Sequence, residues 1–154
     1  MIDPEAIAVP VKRWPGAEDL PLPDYHSQHA AGMDLRAAVP ANRPVVIEPM
    51  AIVIVPCGIS IAVPVGYEAQ VRPRSGLAAR HGISMPNTPG TIDADYRGQV
   101  MAPLINLSRH PYTITRGMRI AQLMIKPIYR TRWVEVDSLP PTARGEGGFG
   151  SSGQ

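Results

Sequence analysis

One cysteine, one phenylalanine and a net charge of only +2 are the scarcities that first constrain this chain of 154 residues. Cys57 stands alone in an apolar run, which excludes a disulfide framework and a thiolate metal site. A charge of +2 is too small to mark a nucleic-acid surface, so no nucleic-acid partner is expected. The apolar stretches fall short of a membrane span, and the N-terminus lacks the basic-then-apolar order of a signal peptide. These absences lead to the expectation of a soluble protein in the reducing cytoplasm, with no membrane partner. Histidines are few and scattered: His26 and His29 are near neighbours without further ligands around them, and His81 and His110 are solitary. A zinc site, which takes four ligands or three plus water, is not expected. No internal repeat is visible.

What the chain has in excess is breakers. It holds 18 prolines and 14 glycines, about a fifth of all residues against a usual value of roughly 12%. The hydrophobic share of 44% is that of an ordinary globular domain. Frequent breakers leave little room for long helices and favour short strands joined by turns. The run "VVIEPMAIVIVPCGISIAV" is β-branched, with Ile59, Ile61 and Val63 alternating against small or polar neighbours. In "GYEAQVRPR", Tyr67, Ala69 and Val71 fall on one face and Glu68, Gln70 and Arg72 on the other. Further strands are expected in "VMAPLINL", "YTIT", "RIAQLMI" and "WVEV", with an edge or bulge at the proline of "APLI". One short helix is expected from Gly76 to Arg80, capped by Ser75 and stopped at Gly82. The pattern predicts a single all-β domain, an antiparallel sandwich or barrel of jelly-roll type, over residues 1–143. The end, "ARGEGGFGSSGQ", is too rich in glycine to be a strand, so residues 144–154 are expected to form a mobile arm.

Several segments carry residues suited to chemistry. "PGTIDADYRG" sets Asp93, Asp95 and Tyr96 between two glycines, and on an extended strand the two aspartates would share a face. The arm places Phe149 beyond any core, with Arg144 before a run of glycines and Ser151 and Ser152 after it. Glycine amides, a guanidinium and hydroxyls can together cradle a phosphate, although the spacing is not that of a Walker loop. In "VRPRSGLAAR", Arg74, Ser75 and Gly76 stand at the start of the expected helix, a second place for an anion or simply a capped turn. Asp34 lies among small and apolar residues, and Gln122 on a strand otherwise apolar on its inward face. Taken singly, these last two decide nothing.

Together and in this order, "AAGMDLRAA", "PRSGLAAR", "GTIDADYRGQV", "RGMRIAQL" and "RGEGGFGSSG" resemble the five short motifs of the trimeric dUTP diphosphatases. They span residues 30–152, most of the chain. The resemblance implies a β jelly-roll and hydrolysis of dUTP to dUMP and pyrophosphate, which keeps uracil out of DNA and supplies dUMP for thymidylate. It also implies magnesium as cofactor and a homotrimer with shared active sites. Asp93 matches the general base, and Tyr96 the ring lying under the deoxyribose. Asn87, Thr91 and Ile92 match the uracil pocket, with Met101 behind the base. Arg74, Ser75 and Gly76 match the phosphate loop, and Gln122 an α-phosphate contact. Arg144, Gly150, Ser151 and Ser152 match the arm's grip on the γ-phosphate, and Phe149 the ring stacked on uracil. Asp34 matches an aspartate near the magnesium hydration shell, not a direct ligand. Asp95 receives no role beyond a turn or salt bridge.

Two departures are visible. Pro86 and Pro89 remove two N–H donors from the uracil hairpin, and Met118 stands where the family often has an acid. A dCTP deaminase of the same fold would need a general acid–base glutamate in its pocket. Glu68 enters the phosphate-loop strand, but the "TIDADYRG" hairpin is of the diphosphatase kind. A non-catalytic nucleotide-sensing module is the other alternative.

Overall fold

The structure, a computed structural model, describes residues 6–148. Eleven short strands and one helix are found among them. In chain order the strands are β1 (Val11–Arg13), β2 (Met33–Arg36), β3 (Val45–Ile47), β4 (Ile52–Pro56), β5 (Ile59–Ile61) and β6 (Tyr67–Pro73). Helix α1 (Ser75–His81) follows, then β7 (Ile83–Ser84), β8 (Gly90–Ile92), β9 (Met101–Asn106), β10 (Tyr112–Ile114) and β11 (Arg119–Pro127). All pairings are antiparallel. A four-stranded sheet runs β2-β11-β6-β8, a three-stranded sheet β4-β9-β7, and two ribbons pair β1 with β5 and β10 with β3. This is the jelly-roll architecture the strand pattern predicts.

Alternation builds the core. On β6 the inward Ala69 and Val71 are buried while Gln70 and Arg72 are only half-buried. Leu35, Ile47, Leu104, Ile114 and Ile120 are all but fully buried and come from five different strands. Each such side chain contributes about 1.5–3 kcal/mol relative to exposure. Pro103 sits inside β9 because β7 pairs only with Ile105 and Asn106, so the side facing β7 needs no N–H from Pro103. The outer face of the β4-β9 pair is apolar as well: Ile52 lies opposite Ile105 and Ile54 opposite Pro103, with Ile52 and Ile54 exposed at 55% and 61%.

Asn106 is a buried polar side chain with every hydrogen-bonding group used. Its amide donates to the carbonyls of Ile47 and His110, each at 2.8 Å. Its carbonyl oxygen accepts from the Ser108 amide at 2.9 Å and the Ser108 hydroxyl at 2.8 Å. One residue thereby ties β3, β9 and the turn before β10.

Three expectations need correction. "WVEV" forms no strand: residues 128–148 contain neither strand nor helix, and Trp133 is 90% exposed. The helix begins at Ser75 with Arg74 in the capping position, extended and without a side-chain cap, so Ser75 is the first helical residue and not the cap. Its stop is as expected, because Gly82 adopts φ 66, a left-handed conformation that glycine takes without strain. Asp93 and Asp95 do not share a strand face, since β8 ends at Ile92 and Asp95 lies in the turn that follows.

Candidate active site

Strand β8 delivers Asp93. The register Ala69–Ile92, Gln70–Thr91, Val71–Gly90 fixes the strand against β6, and the chain turns immediately afterwards, with the Tyr96 amide donating to the Asp93 carbonyl at 3.1 Å. Arg97 braces this turn by donating to the carbonyls of Ala94 and Tyr96 at 2.7 and 2.8 Å. The Tyr96 hydroxyl donates to the Gln99 carbonyl at 2.9 Å, folding the ring over Gly98. A Cβ at Gly98 would collide with that ring, which is why glycine stands there. The Gly98 carbonyl in turn accepts from the Ser60 hydroxyl at 2.7 Å, and Ser60 accepts from the Trp14 indole at 2.8 Å. A relay from β5 thus anchors the Tyr96 turn. The resulting cleft, of about 170 Å³, is lined by Thr91, Ile92, Asp93, Tyr96, Gln99 and Met101, together with Val100. Asp93 is exposed in it. Asp95 is exposed in the turn and makes no ion pair among the described residues.

Asn87 is exposed in the preceding hairpin, where the Thr88–Pro89 peptide is cis. Its amide nitrogen lies 3.1 Å from where a Cβ on Gly90 would stand, so it covers the start of β8 without lining the Asp93 cleft.

A second cleft, of about 180 Å³, gathers Gly32, Asp34, Arg74, Ser75, Gly76 and Gln122 with Arg119, Ala30 and His26. The first helical hydrogen bonds are those of Leu77 and Ala78 to the Arg74 carbonyl, which leaves the amides of Ser75 and Gly76 free of helical partners. Asp34 is opposite Gln122, which is opposite Arg72, across β2, β11 and β6. Its two carboxylate oxygens meet two different cations: Arg74 Nε at 2.9 Å and Arg119 Nη1 at 3.2 Å. Gln122 is half-buried and borders the cleft, and its side-chain oxygen stands 3.0 Å from where a Cβ on Gly32 would be. Arg119 is the site residue that sequence reasoning missed. Three positions before Gln122, it belongs on the opposite face of a regular strand, but β11 is bulged between Arg119 and Ala121. The extra residue lets Ile120 and Ala121 both be buried and re-aims Arg119 into the cleft.

The two clefts share no lining residue. Continuing the β6–β8 register puts Asp93 beside Glu68, six positions before Arg74 on the same strand direction, about 20 Å at roughly 3.3 Å per residue. A groove of about 940 Å³, lined by apolar residues such as Ile7, Val11, Leu22 and Ile125, meets the second cleft at His26 and Ala30; it does not include the site residues read from the sequence. Cys57 is buried and its thiol is pushed up to about 12 by desolvation, so it supplies no nucleophile. Arg144, in the exposed segment after the last strand, donates from Nε to the Gly147 carbonyl at 2.7 Å and touches neither cleft. Phe149, Gly150, Ser151 and Ser152 lie outside the described residues.

The family model for dUTPase matches residues 18–153. A deoxyuridine 5'-triphosphate nucleotidohydrolase of Maricaulis maris (strain MCS10) is 56% identical over 147 residues, covering 94% of this chain and 97% of the relative. Among solved structures, a Staphylococcus bacteriophage 80alpha dUTPase with dUPNHPP superposes with a TM-score of 0.82 at 26% identity, over 97% of this chain and 100% of the other. A mutant of the same phage enzyme with dUpNHpp gives 0.83 at 25% identity with the same coverage. With a family match over most of its length, a relative at more than half identity and the same fold, this chain belongs to the dUTPase family.

Proposed function

We propose that the chain hydrolyses dUTP to dUMP and pyrophosphate, with Asp93 as the general base that aims a water at the α-phosphorus. The observation that carries this reading is the pairing of Asp93 with Tyr96 in one small cleft at the end of β8. An ionised carboxylate suits the task when it can hold a water in line with the leaving pyrophosphate. Tyr96, its hydroxyl tied to the Gln99 carbonyl, offers a fixed ring for the deoxyribose, where a 2′-hydroxyl would clash or be left unpaired. The backbone at Thr91 and Ile92, with Asn87 above and Met101 behind, reads uracil. Arg74, Ser75, Gly76 and Gln122 hold the phosphates.

The active site is shared between subunits of a homotrimer. Within one chain, a base about 20 Å from the phosphate loop along β6 cannot act on a phosphorus held at that loop. A second copy must bring its Asp93 cleft to the Arg74 cleft of the first. The apolar outer face of β4 and β9, which ends at Met101 in the Asp93 cleft, supports burial of this side against a neighbouring subunit. The chain is one domain over residues 1–143, and residues 144–154 close over the nucleotide, Arg144, Gly150, Ser151 and Ser152 on the γ-phosphate and Phe149 on the base.

Magnesium fits this site through the substrate. Among the described residues no group of three His, Cys, Asp or Glu could hold a metal ion, and the carboxylate of the phosphate cleft, Asp34, is engaged by two arginines. Its remaining lone pairs can still accept from a water of the ion's shell. The ion, carried by three phosphates and water, would neutralise charge on the phosphate chain. No helix among the described residues is long and apolar enough to cross a membrane, and the reading places the enzyme in the cytoplasm.

Pyrophosphate release from dUTP, dCTP, dTTP and UTP with magnesium tests the substrate: only dUTP should turn over appreciably, and uracil product from dCTP would sink the reading. Asp93→Asn should bind dUTP within a few-fold of the parent while turnover falls by about 10² or more. Mixing Asp93→Asn subunits with Arg74→Gln subunits, unfolding and reassembling them, should restore activity in the mixed oligomers. Activity no greater than the sum of the two inactive variants would rule out shared sites.

A further inference from the structure

We infer that Ser60, oriented by Trp14, is a positioning residue for the Tyr96 ring, and that this pair sets how strictly the site tells deoxyribose from ribose. The inference rests on the dUTP reading above and deepens it. Its basis is a line of hydrogen bonds from two residues that line neither cleft. Trp14 Nε1 donates to Ser60 Oγ at 2.8 Å, and Ser60 Oγ donates to the Gly98 carbonyl at 2.7 Å.

The direction of these bonds follows from their chemistry. An indole nitrogen only donates, so Ser60 accepts from it, and the single proton of the hydroxyl is left for the Gly98 carbonyl. Ser60 is buried in β5 opposite Lys12 of β1. The Trp14 amide also donates to the Gly58 carbonyl at 2.9 Å, so the group that aims the hydroxyl is itself pinned beside β5.

The Gly98 carbonyl belongs to the peptide joining Gly98 to Gln99, and Tyr96 leans on both ends of that peptide. Its ring lies so close over Gly98 that a Cβ there would collide, and its hydroxyl donates to the Gln99 carbonyl at 2.9 Å. Packing alone does not hold the ring, since Tyr96 is 43% exposed. The bonds of Arg97 and of the Tyr96 amide close only on Asp93, Ala94 and Tyr96 itself. Among the described residues, Ser60 to Gly98 is the one hydrogen bond joining residues 94–99 to another part of the fold. The next anchor is Val100, whose amide donates to the Ile59 carbonyl at 2.8 Å. A tilt of the Gly98–Gln99 peptide would therefore shift the floor of the ring and its tether together. A ring so held does not move aside for a 2′-hydroxyl, which then clashes or is left without a partner. A loose ring would make room.

A merely structural Ser60 would add stability and leave sugar selectivity alone. The kcat/KM for dUTP and for UTP is measured with thermal stability in the parent, Ser60→Ala, Ser60→Thr, Trp14→Phe, Tyr96→Phe and the Ser60→Ala, Tyr96→Phe double variant. The parent comes first: no preference for dUTP over UTP there overturns the sugar reading of Tyr96, whereas the inference is judged on variants of a selective parent. Ser60→Ala should reduce the preference for dUTP about 5- to 30-fold. Ser60→Thr keeps the hydroxyl and should keep the parent's preference. Trp14→Phe leaves the Ser60 donor in place but frees it to rotate, so its loss should be smaller and in the same direction. The double variant should lose less than the two single losses combined, because both act on one peptide. An unchanged preference in folded Ser60→Ala, or in Trp14→Phe where Ser60→Ala does not fold, would overturn the inference. Equal loss in Ser60→Thr and Ser60→Ala would overturn it too, since the hydroxyl would then not be the cause.

Discussion

Strand β11 and the segment that follows it invite comparison. Both are rich in β-branched and apolar residues, "RIAQLMI" in one and "WVEV" in the other. β11 runs for nine residues between β2 and β6, whereas Trp133, Val134 and Val136 are exposed and unpaired. The difference lies in neighbours. A strand is stabilised by cross-strand pairs and a covered face, not by its own backbone, and β11 has a partner on each side while residues 129–148 pair with no strand among the described residues. The first region is a scaffold that fixes Gln122 and Arg119; the second leads to the arm.

The largest effect should come from removing the arm. Deleting residues 144–154 should leave a folded oligomer with little-changed thermal stability, because residues 144–148 belong to no strand or helix, yet lower turnover severely by exposing the α-phosphate to bulk water. Full activity of the truncated protein would erase the functional contrast between the two regions.

On the scaffold side, Asn106→Ala should cost about 2–4 kcal/mol by leaving the buried carbonyl of Ile47 and the carbonyl of His110 without their donor. Urea unfolding measures this, and a loss below about 1 kcal/mol would mean that water takes over the vacated bonds.

The smallest effect concerns the surface pair Arg116–Asp19. The hydrogen bond from Arg116 holds the Asp19 carboxyl below its ordinary value. A depressed carboxylate stabilises the fold above its unfolded pKa, and this contribution is lost as pH falls through the folded value. Asp19→Asn should therefore flatten stability slightly below about pH 4 and change little at neutral pH, because Arg116 keeps the carbonyls of Gly16 and Val39 and exposed pairs contribute little. A marked loss at pH 7 would show that the pair matters more than its exposure allows.

Much of the site was legible as residue types in order. Asp93 with Tyr96, and Arg74 with Ser75 and Gly76, are local clusters, and each falls in one cleft of the structure. Arg119 was not legible, because its direction depends on a bulge set by the pairing of β11 with β2. The relay from Trp14 through Ser60 to Gly98 joins residues far apart in sequence, and no spacing rule announces it. Ser75 was misread as a cap because its type favours that position; here Arg74 takes the place, extended, with its guanidinium drawn to Asp34.

The sequence by itself determined the all-β class, the placing of breakers, the helix stop at Gly82 and the grouping of Asp93 with Tyr96 and of Arg74 with Ser75 and Gly76, since these follow from local preference and motif order. Only the tertiary structure decided which apolar segments became strands and which face Arg119 took. It also decided that Asp93 and Arg74 of one chain line two different clefts. Pairing partners and register are long-range properties, and a side chain's direction changes with a single inserted residue.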